Sequence, residues 1–386
     1  MRFLSAAAAL LLSVTAPASA QTPVPQDSAA REALRKAGSE VLFWSQQQRD
    51  ANFRRMERIF PAVTVQAGSK VRLLPRGKPL SIPSADVARF VAGQNIAGLI
   101  VLQDGRIRLE RYARGFRPDQ RWTSFSVAKS VTSTLFGAAL KDGSIRSLDD
   151  QVVRYVPELK GSAYDGVTVR QVLTMSSGAK WNEDYTDPKS DVAQMFARPV
   201  PAGEDVTVAY MRTLARAAAP GTKFNYNTGE TNLAGVILAR AVKMPLARYA
   251  SLRLWQPYGM EADAAWQVDE HGKEIAGCCM MVRLRDYARL GQLMLEDGAG
   301  LLAPGWVADA TRIHQPFAQA GRGYGYFWWI EPTGYRASGI FGQSIWIDPK
   351  RKLVIAAVSA WPKALDPTLS AQRTAFFQQI AKAAER

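Results

Sequence analysis

Two residues with reactive side chains stand three apart in the run Thr123-Ser124-Phe125-Ser126-Val127-Ala128-Lys129-Ser130. On a helix that spacing puts Ser126 and Lys129 on one face. A serine hydroxyl is a poor nucleophile until a base takes its proton, and a lysine serves as that base once desolvation keeps it neutral. Thr123 or Ser124 can cap a helix beginning here, and the helix start brings free N–H groups and positive potential to where an oxyanion would form. Val127, Val131, Leu135 and Ala138 make an apolar stripe. Ser130, Ser133 and Gly137 make a small-residue face that another element can approach closely. Taken alone, S-x-x-K also describes many solvated helix faces, so the context has to carry the reading.

Two further segments supply that context. Pro220-Gly221-Thr222-Lys223-Phe224-Asn225-Tyr226-Asn227-Thr228-Gly229 is a turn that presents a tyrosine ahead of a helix from about Thr231. Tyr226 can share a proton with a lysine and pass it to a leaving group, or can simply be a packed loop tyrosine. Ser338-Gly339-Ile340-Phe341-Gly342-Gln343 leads into a strand; its small residues either let the backbone approach a ligand, with an N–H as second oxyanion donor, or mark a bulge.

The elements that must hold these groups are readable from pattern. Leu34, Ala37, Val41 and Trp44 recur at helical spacing, predicting an amphipathic helix over 28–58 that ends at Pro61. Residues 61–90 read as irregular connection. Ala97–Gln103 and Arg106–Tyr112 flank Asp104-Gly105, a strong hairpin signal. A helical middle runs over about 126–300, broken at Pro157, Ser177-Gly178, an acidic-aromatic loop at 181–190 and Pro220-Gly221. Strands return at Tyr326–Ile330, Gln343–Asp348 and Leu353–Ser359, and a helix at 366–384 closes the chain. Strands at both ends around a helical middle predict an α+β fold. It would have one antiparallel β-sheet flanked by helices, an inserted, mostly helical lobe, and a site in the cleft between them.

Composition bounds the rest. The 386 residues are 47% hydrophobic and 22% charged, which excludes whole-chain disorder, collagen and coiled coil. Two cysteines and two histidines exclude a disulfide scaffold, a thiolate zinc cluster and any three-histidine metal site. There is no G-x-S-x-G elbow, H-E-x-x-H helix or phosphate loop, and nothing calls for a metal or a cofactor. Met1-Arg2, the apolar run to Leu12 and Ala18-Ser19-Ala20 form a signal peptide over 1–20, too short to span a membrane. The expected address is the periplasm or the exterior, with no stable membrane insertion. The net charge is +15, and +14 once Arg2 is removed. With the basic residues scattered and the chain exported, this suits an anionic envelope rather than nucleic acid.

Together, the three chemical segments resemble the serine β-lactamase and penicillin-binding-protein superfamily, over about residues 95–360. Its motifs are S-x-x-K, Y-x-N and a K-T-G-type strand. Val172-Leu173-Thr174-Met175-Ser176-Ser177-Gly178 and Asp286-Tyr287-Ala288-Arg289-Leu290-Gly291-Gln292-Leu293-Met294 look alike too. Tyr226-Asn227-Thr228-Gly229-Glu230-Thr231-Asn232 and Gly339-Ile340-Phe341-Gly342-Gln343 place the likeness nearest the class C-type esterases and 6-aminohexanoate-dimer hydrolases. The resemblance implies that Ser126 is acylated, Lys129 and Tyr226 move its proton, and the N–H groups of Ser126 and Ile340 form the oxyanion hole. Thr228 and Gly339 would contact substrate, as would Tyr185 in the loop Trp181-Asn182-Glu183-Asp184-Tyr185. The organisation would be 1–20 address, 21–90 N-terminal helical extension and linker, and 91–386 hydrolase domain.

Two positions depart from the pattern. Thr228 replaces the motif asparagine, and Ala337-Ser338-Gly339 lacks the K-T-G lysine, with Arg336 beside it. The missing lysine favours a small neutral amide or ester over a β-lactam. The expected function is therefore an exported serine hydrolase. A peptidoglycan D,D-peptidase, a β-lactamase and a non-catalytic binding member of the fold remain the alternatives. Of the residues left over, Cys278 and Cys279 read as free buried thiols, Trp328-Trp329 as core, His271 as a surface turn, and His314 as lacking an acidic partner nearby.

Overall fold

A computed structural model describes residues 22–201 and 203–385; the signal peptide expected over 1–20 lies outside them. An eight-stranded sheet forms the frame. Its order is Arg106–Tyr112, Ile96–Gln103, Leu353–Ser359, Gln343–Asp348, Gly334–Gly339, Trp329–Glu331, Gly323–Tyr324 and Gln315–Pro316. Every neighbouring pair is antiparallel. The hairpin closes where Asp104 and Gly105 take φ 48° and 71°, the left-handed pair that matches strand twist.

The central strands are buried on both sides, so alternate residues feed two cores. Leu99, Val101, Leu353, Ile355 and Ala357 face the terminal helices Ser84–Gly93 and Pro367–Ala383, where Phe90 stacks on Phe376 at 3.9 Å. Ile100, Leu102, Val354, Ala356 and Val358 face the larger core shared with the lobe. Against that face lies the helix Leu284–Leu295. A Cβ on its Gly291 would sit 2.4 Å from Val354 Cγ1, which explains the glycine there.

Three sequence expectations change. The helix predicted over 28–58 is split into Ser28–Glu40 and Gln46–Asn52, because Ser45 and Gln48 form a capping box that starts a new helix after extended Trp44. Residues 61–90 are not all irregular. Ala62–Val65 joins a second sheet with Ala264–Gln267, Met280–Val282 and Trp122–Thr123, and Ser84–Gly93 covers the large one. Cys278 and Cys279 are joined in a disulfide rather than free.

Inside the lobe, helix Thr228–Val242 buries Glu230, which accepts a hydrogen bond from Ser177 Oγ and a longer one, 3.5 Å, from the Tyr164 hydroxyl. Burial pushes its carboxyl up to about 8. The folded state thus keeps this group neutral while the unfolded chain ionises near 4.5. Its stabilising contribution is complete below that pH and is lost as pH rises through about 8. Thermal unfolding of Glu230→Gln should show a flatter fall between pH 5 and 8, by on the order of 1 kcal/mol or more. Asp269, raised to about 6 by burial, supplies slope that the variant keeps.

Candidate active site

Ser126 sits where strand Trp122–Thr123 turns into helix Val127–Lys141. The turn is pinned from both sides. Ser124 N donates to the Met280 carbonyl at 2.7 Å, and Met280 N donates to Ser124 Oγ at 2.9 Å. Neither Thr123 nor Ser124 caps the helix; Ser126 itself occupies the cap position, and Ser124 Oγ is spent on Met280 and the Phe125 carbonyl. Phe125 lies at φ +42°, an uncommon conformation for a bulky residue, held by ring contacts to Phe53 and Phe341 at 5.0 and 5.3 Å.

The helix is buried on all faces rather than along one stripe. Its small-residue face admits close neighbours as expected: Ser130 Oγ donates to Phe327 O at 2.7 Å, and Gly137 lies under the Trp306 indole. Packing on all sides is what strips water from Lys129, which is 1% exposed. Its Nζ donates to Gly277 O at 2.7 Å and to Thr228 Oγ1 at 3.0 Å, and lies 5.4 Å from the Tyr226 ring centre. Desolvation pulls its ammonium down to about 8, against an opposing pull from the Glu183 charge.

The Tyr226 hydroxyl has the Ser126 side chain as a polar neighbour, which lowers its pKa, but burial is the larger effect and raises it, so the phenol holds its proton. The ring stacks on Trp329 at 5.4 Å and meets Tyr324 edge-on. Trp328 is core as expected, whereas Trp329 is the plate that fixes Tyr226.

Gly339 ends strand Gly334–Gly339 directly against the serine turn. A Cβ there would lie 2.6 Å from Ser124 O and 3.1 Å from Ser126 N, so only glycine lets the strand come this close. The following Ile340 lines, with Ser126, Tyr185 and Thr228, a cavity of about 190 Å³. Ala337 holds the K-T-G lysine position, and Arg336 does not compensate: it pairs with Glu331 and lies over Trp329. The five residues Ser126, Lys129, Tyr226, Thr228 and Gly339 are thus drawn together from three elements, with Tyr185 and Ile340 at the cavity.

Glu183 is the group that sequence reasoning passed over. Its carboxylate accepts hydrogen bonds from Trp181 Nε1, the Tyr185 hydroxyl at 2.7 Å, Thr228 N at 2.9 Å and Thr228 Oγ1. One carboxylate therefore ties the 181–185 loop to the start of helix Thr228–Val242 and orients the hydroxyl that meets Lys129. The available signal was an acid two residues before Tyr185 in an acidic-aromatic loop. Glu183→Gln keeps the shape but faces four donors with one acceptor oxygen. We expect kcat/KM to fall roughly 10- to 100-fold, on the scale of a lost charged hydrogen bond. Loss of the negative charge also moves the acid limb of the pH–rate profile to lower pH, a shift that loop disorder alone would not give.

Neither histidine lines this cavity. His271 contacts the Glu204 carbonyl. His314 does have an acidic neighbour, five residues back: its Nε2 is 3.5 Å from Asp309 Oδ1, and its ring stacks on Tyr326.

A serine at a helix start, a desolvated amine and a glycine strand end on a helix-plus-antiparallel-sheet frame define a class, and the chain belongs to the Beta-lactamase family, whose model matches residues 84–377. It is of the β-lactamase-type serine hydrolase superfamily. Among its relatives, the 6-aminohexanoate-dimer hydrolase of Paenarthrobacter ureafaciens is 31% identical over 283 residues, covering 68% of this chain and 72% of that protein. A solved Bacillus anthracis protein, provisionally described as a 6-aminohexanoate-dimer hydrolase, superposes with TM-score 0.76 at 22% identity, over 87% of this chain and 94% of that one. A class C beta-lactamase superposes with TM-score 0.53 at 18% identity, over 77% and 93%. The last two likenesses concern the fold. The α+β expectation and the family resemblance are both borne out. Among the described residues, no helix is long and apolar enough to cross a membrane.

Proposed function

We propose that this chain is an exported serine hydrolase that cleaves a small neutral amide or ester through an acyl-enzyme on Ser126. The observation that carries the reading is Lys129: a lysine in the S-x-x-K position, 1% exposed, its ammonium lowered to about 8, and 5.4 Å from the ring centre of a tyrosine that neighbours Ser126. Neutral Lys129 takes the Ser126 proton, directly or through Tyr226, as Oγ attacks the carbonyl carbon. The N–H groups of Ser126 and Ile340 hold the oxyanion. Tyr226 protonates the leaving nitrogen or oxygen as its bond to carbon breaks, and is reprotonated from Lys129. Water then attacks the acyl carbon and gives a proton to the same pair, which returns it to Ser126 Oγ as the bond from Oγ to the acyl carbon breaks and the acid is released.

The substrate class follows from the third motif. With Ala337 in the lysine position and Arg336 committed to Glu331, the strand offers little to a β-lactam carboxylate. The relative named for 6-aminohexanoate-dimer hydrolysis favours amide cleavage. Export rests on the A-x-A signature at residues 18–20. The reading is tested with a p-nitrophenyl ester, a p-nitroanilide and a penicillin, each offered to the wild type and to Ser126→Ala. Ester and anilide turnover that vanishes in the variant supports it. Turnover retained by Ser126→Ala overturns it, and a long-lived penicillin adduct moves the function to the peptidase or β-lactamase alternative.

A further inference from the structure

The cavity beside Ser126 has a wall that the family match, residues 84–377, does not reach. Leu34, Gly38, Val41 and Leu42 line it, all from helix Ser28–Glu40 and the turn after it. The helix has a defined start, where Asp27 accepts from Ala30 N. It is clamped to the body by an ion pair between Arg35 and Glu270, whose side chains are 18% and 5% exposed. Val192 and Phe196 of the lobe, and Phe125 and Ile340 beside the serine turn, line the same cavity.

Three features describe the occupant. The lining is mainly aliphatic and aromatic, which suits an apolar group. Of the two carboxylates in the lining, Glu270 is paired with Arg35 and Asp269 accepts the backbone N–H groups of His271 and Lys273, so neither is left to call for a cationic end group. Ser126 and Ile340, whose N–H groups would hold the carbonyl oxygen, line the cavity and Tyr226, the leaving-group donor of the proposed mechanism, does not, which favours the acyl side of Ser126. A volume of about 190 Å³ holds roughly six water-sized or methylene-sized groups.

We infer that the N-terminal helix Ser28–Glu40 is the specificity wall of an acyl pocket that takes an uncharged aliphatic acyl group of about six carbons. This rests on Ser126 being the acylated residue. The wall lies outside the family-matched region, residues 84–377, and it decides which acyl groups reach a conventional nucleophile. Gly38 lines the cavity, and a Cβ there has no neighbour within 4 Å, so a larger side chain can be placed at this position without a clash.

The test uses p-nitrophenyl acetate, butyrate, hexanoate and 6-aminohexanoate. Wild-type kcat/KM should rise at least tenfold from acetate to hexanoate, with 6-aminohexanoate below hexanoate. Leu34→Glu, which puts a charge on the wall, and Gly38→Phe, which fills it, should each bring the hexanoate-to-acetate ratio down about tenfold, chiefly through KM. Helix content by circular dichroism checks that both variants fold. A second readout does not need catalysis: Ser126→Ala should bind hexanamide at least tenfold more tightly than acetamide by calorimetry, and adding Leu34→Glu should remove the difference. A flat acyl series with a normal Ser126 adduct overturns the pocket alone. A preference for 6-aminohexanoate overturns the uncharged occupant. Selective hexanamide binding without any Ser126 acylation upholds the pocket and removes the nucleophile reading. Equal binding of the two amides overturns the pocket.

Discussion

Lys129→Ala should abolish acylation of Ser126 near neutral pH, with kcat falling on the order of 10⁴-fold or more. A member of a catalytic unit costs nearly as much to remove as the whole unit. Among the described residues, Lys129 is the amine whose contacts reach Tyr226, at 5.4 Å from its ring centre, and it stands three residues from Ser126. The Tyr226 phenol cannot replace it, because burial raises its pKa and leaves it protonated at any working pH. The wild-type pH dependence should carry the same signature. Below about 8 Lys129 is increasingly an ammonium and cannot accept a proton, so acylation falls as pH drops; above it the neutral amine dominates and the rate levels off. Stopped-flow burst rates from pH 6 to 10 would read this limb directly. A wild-type profile flat over that range, or a Lys129→Ala burst of normal rate, would take the base role away from this residue.

Tyr226→Phe is the second large effect, and it should depend on substrate. The phenyl ring keeps the stack on Trp329 and the edge contact with Tyr324, so the loop stays in place and only the hydroxyl goes. Loss of a positioned proton donor costs roughly 10²- to 10⁴-fold. An amide needs that proton because its nitrogen leaves as an amine, whereas p-nitrophenolate leaves without help. The kcat/KM for an anilide should therefore drop at least tenfold further than that for the corresponding nitrophenyl ester. Equal losses on both would assign Tyr226 to orienting Ser126 rather than to protonating the leaving group.

What could be read from the sequence divides along a physical line. The hairpin around Asp104-Gly105 was legible because two residues of left-handed preference sit between alternating strands, and Gln343–Asp348 and Leu353–Ser359 emerged as predicted. Ser126 with Lys129 was legible because helix geometry alone puts them on one face. The parts missed are those made by contacts between distant segments. Glu183 looks like one more acid in a polar loop until Thr228, 45 residues on, supplies two of its four donors. The apolar stripe of Leu34, Ala37 and Val41 announced a packed helix but could not say that it would wall a cavity ending at Ile340. The expected Thr123 or Ser124 cap failed for a related reason. Both are competent caps in isolation, but Ser124 is claimed by Met280 across a sheet built from residues 156 positions apart. Cys278 and Cys279 show the same limit, since adjacency does not say whether two thiols stay apart.

The central claim, that Ser126 is a nucleophile activated by Lys129, is met most directly by treating the protein with a fluorophosphonate probe and following intact mass and peptide maps. One adduct per chain, on the peptide holding Ser126 and missing from both Ser126→Ala and Lys129→Ala, is the predicted result. An adduct on any other residue, or one of undiminished rate in Lys129→Ala, would contradict it.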